Sequence, residues 1–129
     1  VGICGYVEDF YKQEILPELV LGVGRVAIES LANGLTVISV NCKRMGSIVN
    51  LQNYPAYSHN NFVDVNSIPP TRESLLSEIN KFFQNRAQYE DESIYLREKV
   101  IHEFNMETVT RQILDVYSDA LQKSAAQKA

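Results

Sequence analysis

Two glycines, an arginine and a glutamate in the run LVLGVGRVAIESLANG, residues 19–34, stand at a spacing that suits anion binding. An apolar stretch stops at Gly22-Val23-Gly24 and turns at once into a helical pattern. A helix that starts this way leaves the N–H groups of its first turn without partners. The helix dipole adds roughly half a positive charge there. Such an end seats phosphate groups, and glycines let them approach the backbone. Gly22 and Gly24 therefore predict a diphosphate seat, with the amides of Arg25 and Val26 as donors and the Arg25 guanidinium as a further one. Glu29 lies about one turn deeper, and helical side chains lean toward the N-terminus. A carboxylate beside a phosphate repels it, but it accepts hydrogen bonds from neighbouring sugar hydroxyls. Diphosphate on the amides and a ribose on Glu29 together describe a nucleotide.

Ordinary explanations compete with that reading. Arg25 and Glu29 stand at i and i+4, the spacing of a surface ion pair, and the glycines could serve only close packing of strand on helix. Gly22, Gly24 and Ala27 also satisfy the short dinucleotide fingerprint G-x-G-x-x-A. With Lys43 and Arg44 after the next strand to meet a 2′-phosphate, that describes an NADP-type oxidoreductase. Lys43 and Arg44 are accordingly further candidates for phosphate contact.

The surrounding elements are legible from pattern. VGICG (1–5) reads as a buried strand, residues 8–17 as a short helix ended by Pro17, LVLGV (19–23) as a strand and 25–32 as a helix stopped by Asn33-Gly34. LTVISVN (35–41) is β-branched and reads as a third buried strand. Residues 42–61 look like a long polar loop, FVDV (62–65) like an edge strand, and 71–86 like an amphipathic helix. A polar break over 85–93 precedes a helical stretch from Ile94 to Phe104. A last helix after Asn105 carries Met106, Val109, Ile113, Val116, Tyr117 and Ala120 as core or docking residues, and the tail from Lys123 frays. Strands apolar on both faces, alternating with helices, predict a parallel sheet covered by helices, an α/β/α layer of Rossmann-like type with a helical C-terminal extension.

Length and composition bound the rest. The 129 residues are 45% hydrophobic and 22% charged, enough for one packed domain. A net charge of -4 argues against nucleic acid as a partner. Cys4 and Cys42 read as buried free thiols of a reducing, cytoplasmic compartment. No metal-ligand spacing and no membrane-spanning run is present. His59 and His102 are isolated and read as structural or solvated. Tyr54 and Tyr57 read as packing residues that could also stack on a base. Glu90-Asp91-Glu92 reads as a solvated helix start. The first residue is valine, and the chain is expected to be a piece of a longer protein.

The stretch GVGRVAIESLANGLTVISV resembles the donor-binding segment of retaining GT-B glycosyltransferases, with Gly22, Gly24, Val26, Glu29, Ala32, Gly34 and Val37 in step. FVDVNSIPPTRESLLSEINKFF is similar to that family's short strand, loop and helix after the donor site, and the final helices fit its C-terminal helices. The resemblance implies a C-terminal nucleotide-sugar-binding domain spanning 1–129, truncated at its N-terminus. Glu29 would contact the ribose of the donor, and Arg25 and Val26 its diphosphate, with no separate cofactor. It also implies departures. The family's first glutamate falls at Leu21, and its Gly-Gly-x-x-Glu is replaced around Lys43, Arg44 and Gly46. The cations that neutralise the leaving diphosphate and the acceptor domain would lie in a missing N-terminal domain, so this piece alone is expected to be inactive in transfer. Peripheral membrane contact would belong to the full protein. A non-catalytic domain of the same fold that binds a nucleotide or partner is the remaining alternative, favoured by Leu21.

Overall fold

A computed structural model describes residues 10–12, 14–64 and 66–128. The strand expected over 1–5, with Cys4, lies outside the described residues. Of the helix expected over 8–17, only a 3-10 turn at Phe10–Lys12 is described. The chain is α/β, with a small sheet and mostly helices. Strand β1 (Leu19–Gly22) leads through Val23 into helix α1 (Gly24–Ala32), which returns the chain to β2 (Thr36–Val40). β1 and β2 are parallel, with Gly22 opposite Ser39. α1 ends as its sequence predicts. Gly34 takes φ +75°, and its N–H and that of Leu35 return to Leu31 O and Ser30 O, both at 3.0 Å. This closes the helix through the conformation glycine adopts without strain.

The parallel expectation fails at the next strand. β3 (Met45–Ile48) runs antiparallel to β2 through a tight turn, giving the order β1-β2-β3. The reason is local: Asn41 Oδ1 accepts from the amides of Lys43 (2.9 Å) and Arg44 (2.8 Å), and Asn41 N–H reaches Arg44 O at 2.8 Å. An asparagine that bonds its own backbone two residues on makes a turn. The predicted long loop thus contains a strand and a short helix, α2 (Tyr54–His59). The predicted edge strand at 62–65 is absent from its described residues, 62–64; an isolated antiparallel bridge joins Met45 to Ile68 instead.

Successive residues of β2 join different apolar clusters. Val37 packs with Ala27, Leu31, Tyr54, Phe62, Leu96 and Val100. Ile38 packs with Met45, Ile48 and Phe82 of α3 (Arg72–Gln84). α3 starts at a capping box, Thr71 Oγ1 accepting from Ser74 N–H at 3.0 Å. The polar break over 85–93 is helical: α4 (Arg86–Phe104) follows after Asn85 alone. With no glycine or proline after α3, charged residues continue the helix, and Glu90-Asp91-Glu92 lies within it. Glu92 accepts from Leu51 N–H at 2.9 Å and so binds a distant loop.

Asn105 separates α4 from α5 (Met106–Lys128), its Oδ1 accepting from Thr108 N–H at 2.8 Å. The tail expected to fray is helical to Lys128. α5 buries none of its residues. Met106 is 81% and Leu121 72% exposed, so the side chains expected in a core form an open apolar stripe. Cys42, expected to be buried, is exposed because the turn that reverses β2 carries it outward.

Candidate functional site

The carboxyl ends of β1 and β2 lie together, and α1 begins there. Val23, extended at φ -136°, supplies no side-chain cap. The first amide of α1 is taken: Gly24 N–H donates to Asn61 O at 2.9 Å. The amides of Arg25 and Val26 find no partner among the described residues. Ala27 N–H points to Val23 O at 3.5 Å. Two open donors therefore face the predicted diphosphate position, in the turn where the dipole is strongest.

Both glycines also have packing reasons. A β-carbon on Gly22 would sit 2.5 Å from Val26 Cγ1, so the strand approaches the helix only with glycine there. Gly24 has φ +56°, and the Asn61 carboxamide lies 3.3 Å from where its β-carbon would be. Glu29 leans toward the first turn, and its carboxylate accepts from Arg25 Nε. The pair is exposed, and the carboxylate holds up the Arg25 pKa, chiefly through their hydrogen bond. A ligand at this mouth would share Glu29 with Arg25. Leu21 and Val26 are exposed beside it. Lys43 and Arg44 sit in the turn after β2, at the same end of the sheet and exposed. Neither forms an ion pair among the described residues.

The segment that closes over this end falls where the expected polar loop meets the expected edge strand, and it is a turn instead. Asn61 (φ 54°) and Phe62 (φ 60°) are consecutive left-handed residues, a conformation rare outside glycine and an outlier for a bulky side chain. Their surroundings hold them there. Phe62 N–H donates to Tyr57 O at 2.8 Å, and the buried Ser39 hydroxyl donates to Phe62 O at 2.7 Å. The fully buried Phe62 ring lies 6.0 Å from both Tyr54 and Phe104.

Beyond Asn61 the same segment walls a 110 Å³ pocket with Ser47, Asn53, Ala56, Tyr57, Val63 and Asp64. Gly46 is required here, since a β-carbon would meet Tyr57 Oη at 2.3 Å and Asp64 Cβ at 2.7 Å. The signal available in sequence was the polar density of residues 46–64 itself, with Asn50 and Asn53 three apart. Each of those side chains accepts the other's backbone N–H, at 2.8 and 2.9 Å.

Tyr54 and Tyr57 are core residues, as their packing reading has it. Burial, then the hydrogen bond to Glu103, raises the Tyr54 pKa far above its ordinary value. Burial also raises that of Tyr57. His59 and His102 are exposed. Among the described residues no group of three His, Cys, Asp or Glu could hold a metal ion, and no helix is long and apolar enough to cross a membrane. Comparison of the chain with family models, with curated proteins and with solved structures finds no match.

Proposed function

We propose that this chain is the nucleotide-sugar-binding part of a GT-B glycosyltransferase, a Rossmann-like α/β/α unit acting in the cytoplasm. The whole enzyme transfers a sugar from a nucleoside diphosphate to an acceptor. One observation carries the reading. α1 starts directly at the carboxyl end of β1 with the Arg25 and Val26 amides open, and the Glu29 carboxylate leans back to that turn. The diphosphate sits on those amides with Arg25 swung onto it, which frees Glu29 for the ribose hydroxyls. Leu21 offers no carboxylate to the transferred sugar. Cations that stabilise the leaving diphosphate come from outside these residues, so the isolated chain binds donor but does not transfer from it. The exposed free thiol of Cys42 suits a reducing compartment.

Calorimetric titration of the 129-residue chain with UDP, GDP, ADP and NADPH tests this. At least one nucleoside diphosphate should bind, and Glu29→Ala should weaken it roughly tenfold, the scale of a lost hydrogen bond to a charged group. NADPH binding indifferent to that substitution would replace the reading with an oxidoreductase. Absence of binding by every nucleotide would leave a domain without this site.

A further inference from the structure

The pocket between β3, α2 and the Val63–Asp64 segment shares no residue with the mouth of α1. Its hydrogen bonds run in one direction. Asn53 Nδ2 donates to Ser47 Oγ at 3.3 Å. Tyr57 Oη accepts from Ser47 N–H at 2.9 Å and donates to Asp64 Oδ2 at 3.1 Å. The phenol's one proton is thereby committed, so the 3.2 Å contact between Ser47 Oγ and Tyr57 Oη is donated by the serine. The second Asn53 Nδ2 proton goes to Ile48 O at 2.9 Å, and the chain through Ser47 and Tyr57 ends on Asp64, whose Oδ1 accepts from Asn66 N–H at 2.8 Å. A carboxylate has about four acceptor positions; two are used here and two remain. No ion pair to Asp64 exists among the described residues.

The side chains that line the pocket therefore leave only acceptors to a ligand, and the Asp64 carboxylate repels anions. Ala56, Val63 and the Tyr57 ring supply apolar walls beside them. The volume of 110 Å³ is somewhat below the roughly 150 Å³ of a cavity that holds benzene. That fits one edge of a pyranose ring, with two neighbouring hydroxyls, and not a whole disaccharide.

We propose that this pocket is a carbohydrate subsite in which the Asp64 carboxylate accepts hydrogen bonds from two neighbouring hydroxyls of a single sugar residue, with the C–H face of the ring against Ala56 and Val63. Its occupancy does not depend on a nucleotide at α1, so the two readings fail separately.

The test is amide-resolved NMR of the 129-residue chain titrated with glucose, galactose, mannose and N-acetylglucosamine, and with methylammonium as a competing donor. At least one monosaccharide should shift the amides of Ser47, Tyr57, Val63 and Asp64 and leave Arg25 and Val26 unmoved. Asp64→Asn, which keeps the shape but turns an acceptor into a donor, should weaken that binding about tenfold. Ala56→Leu, on the exposed side of α2, should block it while the spectrum stays folded. The proposal is overturned if no monosaccharide shifts these amides, if Asp64→Asn leaves the shifts unchanged, or if methylammonium alone produces them.

Discussion

The β1–α1–β2 unit and the segment from Asn41 to Asp64 meet at the same end of the sheet, yet they are built differently. The first is held mostly by neighbours in sequence: a parallel pair, a helix closed by Gly34, and an i, i+4 ion pair, with Gly24 N–H reaching across to Asn61 O. The second is held by residues far away. Ile48 N–H donates to Glu78 of α3 at 3.1 Å, Leu51 N–H to Glu92 of α4, and Phe62 O accepts from Ser39. A backbone without long regular ladders must find such partners or lose stability. The two candidate sites therefore answer to different forces. The mouth of α1 rests on its own turn and on the distant Asn61 carbonyl, while the Asp64 pocket is closed by hydrogen bonds between residues 2 to 10 apart, in a segment that α3, α4 and β2 hold in place.

Removing the ring that joins the two regions should have the largest effect. Phe62→Ala empties a fully buried position and should cost about 3–5 kcal/mol, read as a fall in the urea midpoint. Hydrogen exchange should then show residues 57–64 losing protection, with Gly24 faster than the rest of α1. Equal loss through α1 and β2 would mean that the regions are one unit. Glu78→Ala acts on the second region alone. It strands the Ile48 amide and should cost about 1–3 kcal/mol without altering nucleotide affinity.

Alkaline pH separates the same two regions, because Tyr54 and Tyr57 serve the second. Their folded pKa values lie above the unfolded phenol value, chiefly through burial. The unfolded chain therefore ionises first, so what these two phenols contribute is level below about pH 10 and stability falls through them as pH rises beyond it. Denaturant titrations followed by tyrosinate absorbance should show this fall, reduced in Tyr54→Phe. A smaller effect is expected at Asn61. Asn61→Ala should cost about 1 kcal/mol, since alanine tolerates the left-handed region less well, while Asn61→Gly should stay close to the parent protein. The smallest effect belongs to Arg25→Ala. Its exposed pair with Glu29 should leave the melting temperature unchanged, and any change in nucleotide affinity then reports on the mouth itself.

Where contacts are local, residue order was enough to read them. The strand–glycine–helix turn, the stop at Gly34, the β-branched β2 and the amphipathic α3 each rest on interactions within a few residues, and each lies within about a residue or two of its expected place. The Arg25–Glu29 pair was legible from spacing in the same way. Only the folded chain decided the antiparallel β3, the left-handed Asn61–Phe62 pair and the pocket on Asp64. Their hydrogen-bond partners include ones 30 residues away, between Ile48 and Glu78, and 23 away, between Phe62 and Ser39, and polar composition alone gives no sign of which amide will meet which carboxylate. The stripe along α5 shows the other side of that limit. Helical periodicity marked Val109, Ile113 and Val116 as one apolar face, but periodicity says only that a face exists. Whether anything covers it is a property of the elements packed there, and among the described residues α5 remains uncovered.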